Sequence, residues 1–155
     1  MYSIAIDGPA GAGKSTIAKT IARKLNFVYV DTGAMYRAIA LYFLRKGVDG
    51  NDAKTIAAMC PDIQVTLEYK DGEQQVLLNG ENVSGYIRNE EVGGMASKTS
   101  AQPAVRAALL QLQRDMADSA NILMDGRDIG THVLPNADLK IFLTASSFSA
   151  LAARP

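Results

Sequence analysis

The chain has 155 residues, 48% of them hydrophobic, and its 16 Lys and Arg side chains balance its 16 Asp and Glu side chains. A chain of this size can bury one sizeable core, which predicts a single domain, and its zero net charge excludes a general electrostatic attraction to nucleic acid or to an anionic membrane. The single cysteine, Cys60, excludes an internal disulfide, and an N-terminus with neither a charged leader nor a long apolar run predicts a cytoplasmic protein.

A glycine-rich turn follows the first apolar strand, which we predict over residues 4–6. The turn has the pattern Gly-x-x-x-x-Gly-Lys-Ser and leads into a helix predicted over residues 14–25. Its glycines let backbone N–H groups converge on phosphate oxygens, Lys14 can reach the β- and γ-phosphates of a triphosphate, and Ser15 offers a hydroxyl to Mg²⁺. The pattern predicts a phosphate-binding P-loop formed by Gly8, Pro9, Ala10, Gly11, Ala12, Gly13, Lys14, Ser15 and Thr16.

The predicted first helix carries apolar residues on one face, as a helix that packs on a sheet does. These residues are Ile17, Ala18, Ile21, Ala22 and Leu25. A buried parallel strand is predicted over residues 27–30, and a second helix follows it up to Gly47. This β-α-β-α order indicates an α/β fold.

The start of the second helix predicts another anion site. Thr32 can cap this helix, and Arg37, one turn further on, can point back along the same face toward a bound phosphate. Alone, a threonine cap and a surface arginine are common features of helices. Beside a P-loop, they suggest a donor and an acceptor that both carry phosphate.

The middle of the chain changes character, because short β-type segments replace the helical pattern. Strands are predicted over residues 63–67 and 75–78 around the turn signal Asp71-Gly72, with a third short strand over 83–87. Helices are predicted from about Asn89 and from Pro103, the second with Val105, Leu109, Leu112 and Met116 on one face. Residues 61–102 are therefore predicted to form a small β-rich insert in a single domain whose core is 1–60 and 103–147.

A second chemical motif follows an apolar strand predicted over residues 121–124, and a further core strand is predicted over 139–143. The motif is Asp125-Gly126-Arg127-Asp128, at the C-terminal end of its strand, where ligands bind in parallel sheets. Asp125 stands where an acid that holds Mg²⁺ is expected, and Arg127 adds a planar cation. Alone, these charges could equally pair with each other in a solvent-facing loop.

Five segments together resemble bacterial cytidylate kinases, of the nucleoside monophosphate kinase group. They are GPAGAGKST from Gly8, DTGAMYR from Asp31, NGENVSGYIR from Asn79, PAVRAALL from Pro103 and DGRDIGT from Asp125. The resemblance implies a P-loop α/β fold of three layers, α/β/α, with a parallel core sheet and a β-rich insert that binds the acceptor. It also implies transfer of the γ-phosphoryl group of ATP, with Mg²⁺, to CMP or dCMP.

The resemblance also assigns roles to individual residues. It implies acceptor contacts by Thr32, Arg37, Ser97, Arg106, Arg127 and Asp128. In this assignment Ser97 reads the cytosine edge, Asp128 holds the ribose, and Arg106 and Arg127 clamp phosphate and join Lys14 in catalysis. Without the resemblance, Ser97 and Arg106 would be interpreted as exposed helix surface. No obligate protein partner is indicated.

The last residues depart from the family pattern. Relatives continue past Leu143 into an arginine-bearing lid and a last strand, whereas the composition here changes from Phe148. We therefore expect the lid and last strand to be missing, with a divergent tail at 148–155 and weak catalysis. Two alternatives stay open: a nucleotide-binding copy with little or no activity, and a P-loop kinase that acts on another small acceptor.

Overall fold

Four parallel strands form the main sheet of the structure, a computed structural model that describes residues 1–9 and 13–144. In chain order these strands are β1 (Ser3–Asp7), β2 (Val28–Asp31), β6 (Ile122–Gly126) and β7 (Leu139–Phe142). Their order across the sheet is β2-β6-β1-β7, and every neighbouring pair is parallel. The predicted tail at 148–155 lies outside the described residues.

The centre of this sheet is deeply buried. All five residues of β6 are buried, and so are Ile4, Ala5 and Ile6 of β1. Strands covered on both faces need apolar side chains on both faces, which explains their continuous hydrophobic sequences. β7 lies at the edge of the described sheet, with Phe142 66% exposed.

Helix α1 (Lys14–Leu25) follows β1 and packs on the sheet through small side chains. Ala18 and Ala22 are buried with Ile4, Ile6 and Leu123, and Ile21 is partly buried against them. The prediction that Ile17 and Leu25 share this face is wrong, since they are 40% and 48% exposed. Ile17 lies about 100° around the helix from Ala18, and Leu25 is the last helical residue.

A separate three-stranded antiparallel sheet contains β3 (Val65–Lys70), β4 (Glu73–Leu78) and β5 (Glu81–Asn82). The predicted hairpin turn is confirmed: Asp71 and Gly72 have φ values of 54° and 79°, as a two-residue turn of type I′ requires. The strand predicted over 83–87 is wrong. Asn82 accepts a hydrogen bond from the Ser84 N–H at 3.0 Å, and this local bond turns the chain instead.

The remaining helices are α2 (Thr32–Arg45), α3 (Ala53–Met59), α4 (Glu90–Thr99) and α5 (Pro103–Ser119). Asn89 caps α4 by accepting a hydrogen bond from the Val92 N–H at 2.9 Å, and Pro103 opens α5 as predicted. Among the described residues, no helix is both long and apolar enough to cross a membrane.

The chain divides into two compact units, Met1–Thr32 with Leu112–Pro155, and Gly33–Gln111. The described part of the first unit contains the parallel sheet and α1. The second contains the antiparallel sheet, α3, α4 and most of α2, so it is wider than the predicted insert at 61–102. The expected α/β class, with a parallel core sheet and a small β-rich part, is confirmed.

Candidate functional site

Lys14 and Asp125, each part of a predicted motif, meet at the C-terminal edge of the parallel sheet. Lys14 is the first residue of α1, which follows β1, and Asp125 is the second-last residue of the neighbouring strand β6. The Nζ atom of Lys14 lies 2.8 Å from Oδ1 of Asp125 and donates to the carbonyl oxygen of Gly126 at 3.0 Å. Asp125 is only 3% exposed, so water screens this pair weakly.

A tyrosine holds the other oxygen of the same carboxylate. The hydroxyl of Tyr29, on β2, donates to Oδ2 of Asp125 at 2.8 Å. Oδ1 is fully buried and, despite the close ammonium of Lys14, accepts no well-aligned hydrogen bond from the described residues. Asp125 therefore has one oxygen fixed by Tyr29 and one oxygen paired only by charge.

These oxygen atoms fit the chemistry of Mg²⁺. This ion prefers oxygen ligands and commonly binds through one or two carboxylates together with substrate phosphates. The Oδ1 atom of Asp125 is an anionic oxygen with unused acceptor capacity, and Ser15 is exposed in the first turn of α1. Within the described ranges, no group of three His, Cys, Asp or Glu side chains could hold a metal ion.

The ends of the predicted P-loop show why glycine is needed there. Gly8 has a φ of 149°, and a Cβ atom at this position would overlap the carbonyl oxygen of Leu143. Gly13 caps α1 with a φ of 74°, a left-handed conformation that glycine adopts readily. Ala10, Gly11 and Ala12 lie outside the described residues.

Thr32 connects the start of α2 to the end of β6. Its side chain is 1% exposed, and its hydroxyl donates to the carbonyl oxygen of Asp125 at 2.8 Å. The prediction that Thr32 caps the helix is wrong by one position, because α2 already begins at Thr32. A Cβ atom on Gly126 would overlap the Oγ1 atom of Thr32, so this contact requires glycine at the end of β6.

Arg127 and Asp128 lie in an exposed turn, and Asp7 binds the two residues that follow this turn. The N–H groups of Ile129 and Gly130 donate to the Asp7 carboxylate at 2.7 and 2.8 Å. Asp7 is not predicted as a site residue from the sequence. Its only signal was an acid at the end of the strand that leads into the P-loop.

An arginine binds the C-terminal end of the short helical segment that follows Asp128. A short helical turn spans Ile129–Val133, and Arg114 on α5 donates to the carbonyl oxygens of His132 and Val133, each at 3.1 Å. Arg114 is not predicted from the sequence either. Its position on a helix gives no sign of a contact 19 residues away.

Within the second unit, Arg37 and Ser97 both lie near Gly93 of α4. The half-buried Arg37 donates to the carbonyl oxygen of Ile87 at 3.4 Å, and its Nη2 atom would lie 3.8 Å from a Cβ atom on Gly93. The hydroxyl of Ser97 donates to the carbonyl oxygen of Gly93 at 3.1 Å. Arg106 is half-buried near the start of α5.

The same unit contains an ion pair between Arg45 of α2 and Glu81 of β5, with Nη1 and Oε1 2.7 Å apart. This hydrogen bond lowers the pKa of Glu81 and raises that of Arg45. Because the pKa of Glu81 is depressed in the folded state, the pair stabilises the fold above the unfolded pKa, and this contribution is lost as the pH falls through the folded value. It is a structural feature of the second unit.

The class of protein follows from the arrangement at the sheet edge. A parallel sheet with Lys14 after β1 and Asp125 at the end of β6 is the arrangement of an α/β protein of the P-loop class. The chain belongs to the cytidylate kinase family, whose model, described as "Cytidylate kinase", matches residues 4–154. This finding confirms the resemblance that the sequence motifs indicate.

Curated relatives named "Cytidylate kinase" are similar over most of this chain. The protein of Desulfitobacterium hafniense is 56% identical over 144 residues, which are 93% of this chain and 62% of the relative. That of Exiguobacterium sp. is 51% identical over 143 residues, 92% of this chain and 64% of the relative. That of Syntrophotalea carbinolica is 48% identical over 144 residues, 93% of this chain and 61% of the relative. The chain thus spans less than two thirds of the length of these relatives.

Proposed function

We propose that this chain binds ATP and CMP or dCMP and transfers the γ-phosphoryl group of ATP to the acceptor phosphate, giving ADP and CDP or dCDP. The observation that carries this proposal is the Lys14–Asp125 pair at the edge of the parallel sheet, in a chain of the cytidylate kinase family. The predicted cytoplasmic location stays a prediction.

On the donor side, we assign the phosphates of ATP to the predicted P-loop, residues 8–16. The Lys14 ammonium lies where it can move from the carboxylate of Asp125 to the β- and γ-phosphates. Ser15 and Asp125 are the residues that would hold Mg²⁺, and this ion neutralises charge on the phosphates when bound. Arg127, two residues beyond Asp125, is assigned a share of the same task, as is Arg106.

On the acceptor side, the reaction needs no general base. The second pKa of a phosphate monoester is about 6, so the attacking oxygen of CMP is already anionic at neutral pH. The barrier is then mainly electrostatic, since two polyanions must be aligned and charge on the transferred group must be balanced. Cationic side chains lower this barrier by pairing with the phosphate oxygens.

We assign acceptor contacts to the six residues that the family motifs indicate. These are Thr32, whose hydroxyl is bonded to the carbonyl oxygen of Asp125, together with Arg37, Ser97, Arg106, Arg127 and Asp128. The guanidinium groups suit phosphate because they can donate two parallel hydrogen bonds. The hydroxyl of Ser97 and the carboxylate of Asp128 suit the base and the sugar.

Calorimetric titrations with CMP, dCMP, UMP and AMP test the proposal. We expect CMP to bind at least about tenfold more tightly than UMP, since a site that hydrogen-bonds one polar group disfavours an analogue that lacks it. Ser97→Ala is expected to reduce this ratio. The matched control is Ser119→Ala, because Ser119 also donates to a carbonyl oxygen of its own helix, that of Met116 at 3.2 Å.

Ser119→Ala is expected to leave the ratio unchanged. Equal affinities for CMP and UMP, or no binding of either, would contradict the cytidylate assignment. Preference for another phosphate-bearing acceptor would support the alternative of a P-loop kinase with a different substrate.

A further inference from the structure

One carboxylate binds two consecutive backbone N–H groups at the turn after β6. Asp7 accepts the hydrogen bonds of Ile129 and Gly130, one on each carboxylate oxygen, at 2.7 and 2.8 Å. Hydrogen bonds to an ionised acceptor are stronger than those between neutral groups. The approach is close: a Cβ atom on Gly130 would lie 3.3 Å from Asp7 and 3.2 Å from the side chain of Lys140.

The other side of this turn is fixed by the P-loop lysine. Lys14 donates to the carbonyl oxygen of Gly126, the residue just before Arg127. Arg127 and Asp128 are therefore the two exposed residues between one fixed point at Gly126 and another at Ile129. Asp128 has a φ of 60°, a conformation that non-glycine residues keep only where the surrounding structure imposes it.

We propose that Asp7 is a positioning residue for the acceptor nucleotide. It holds the turn in one backbone conformation, so that Arg127 and Asp128 need no ordering when the acceptor binds. Because Asp7 immediately precedes Gly8, it also ties this turn to the strand that leads into the P-loop. The inference rests on the proposed function, in which Arg127 and Asp128 contact the acceptor.

A double-mutant cycle separates this role from a general contribution to stability. Asp7→Asn keeps the size of the side chain but replaces one acceptor oxygen by a donor that opposes an N–H group. We expect calorimetry to show CMP affinity about tenfold lower in Asp7→Asn. In the Arg127→Ala background the same change is expected to lower CMP affinity only about threefold, because one of the two residues through which Asp7 acts is gone and Asp128 remains.

Asp138→Asn is the matched control, at the opposite end of β1. Asp138 accepts a hydrogen bond from the Ser3 N–H at 2.8 Å, so it too is a carboxylate that binds a backbone N–H of this strand. It is expected to leave CMP affinity within twofold of the unmodified chain. Amide hydrogen exchange gives a second readout, with faster exchange expected at Ile129 and Gly130 in Asp7→Asn alone.

CMP binding by Asp7→Asn equal to that of the unmodified chain overturns the inference, and so does a full tenfold loss in the Arg127→Ala background. If Asp7→Asn does not fold, Gly130→Ala strains the same contact, and unchanged CMP affinity in that variant overturns the inference. An unmodified chain that fails to bind CMP contradicts the proposed function instead. In that case amide hydrogen exchange in Asp7→Asn tests the inference. Faster exchange at Ile129 and Gly130 supports the positioning of the turn by Asp7, and unchanged exchange overturns it.

Discussion

Lys14→Ala is expected to lower the affinity of the chain for ATP by at least about 100-fold. The substitution removes the ammonium that balances the β- and γ-phosphates, and hydrogen bonds to charged groups are each worth about 1.5–3 kcal/mol. It also leaves the buried carboxylate of Asp125, 2.8 Å from that ammonium, without its counter-charge. An unpaired carboxylate beside the phosphates would repel them, so both effects act in the same direction.

Calorimetry with ATP and Mg²⁺ measures this loss, and Lys24→Ala is the control. Lys24 lies in the last turn of α1 and is exposed, so its removal is expected to leave ATP affinity within twofold. The fold of Lys14→Ala is expected to persist, because Tyr29 still donates to Asp125. Unchanged ATP affinity in Lys14→Ala would contradict the P-loop assignment.

Asp125→Asn is expected to change ATP affinity in opposite directions with and without Mg²⁺. Asparagine keeps the shape of the side chain and can still accept from Tyr29, but it no longer holds the Lys14 ammonium by charge. Without Mg²⁺, ATP affinity should rise by several-fold, since Lys14 is then free to pair with phosphate. Mg²⁺ is expected to increase the ATP affinity of the unmodified chain. In Asp125→Asn this increase should be smaller by about tenfold or more, because a carboxylate ligand has been lost.

The control for this variant is Asp71→Asn, in the hairpin turn between β3 and β4. Asparagine suits the left-handed conformation of Asp71, so this variant loses one negative charge without disturbing the turn. Its ATP affinity is expected to match that of the unmodified chain at every Mg²⁺ concentration. A change of equal sign and size with and without Mg²⁺ in Asp125→Asn would contradict the metal role of Asp125.

Local patterns in the sequence predict much of this fold. The P-loop glycines, the apolar strands and the Asp71-Gly72 turn each depend on neighbouring residues, and the structure has β1, α1 and the hairpin where they indicate. The strand predicted over 83–87 fails for a local reason too, because the Asn82 side chain accepts a hydrogen bond from the Ser84 N–H and turns the chain. In that segment β-propensity was the weaker influence.

Contacts between distant residues could not be predicted in this way. Tyr29 meets Asp125 across 96 residues, and Asp7 meets Ile129 across 122. A tyrosine in an apolar strand and an acid at a strand end are ordinary features until the sheet brings β2 and β1 beside β6. Lys14 and Asp125 are each recognised as candidate site residues because each lies in a motif, whereas the side chains that hold this site in place lie in none.

Backbone amide chemical shifts in the isotope-labelled chain, titrated separately with CMP and with ATP and Mg²⁺, test the central claim most directly. The claim is that the P-loop binds the donor phosphates and that the acceptor nucleotide binds outside this loop. We predict the largest CMP-induced shifts at Ser97, Arg106, Arg127 and Asp128, and the largest ATP-induced shifts at Gly8, Gly13, Lys14 and Ser15. Largest shifts on the same P-loop amides for both nucleotides, or no CMP-induced shifts, would contradict it.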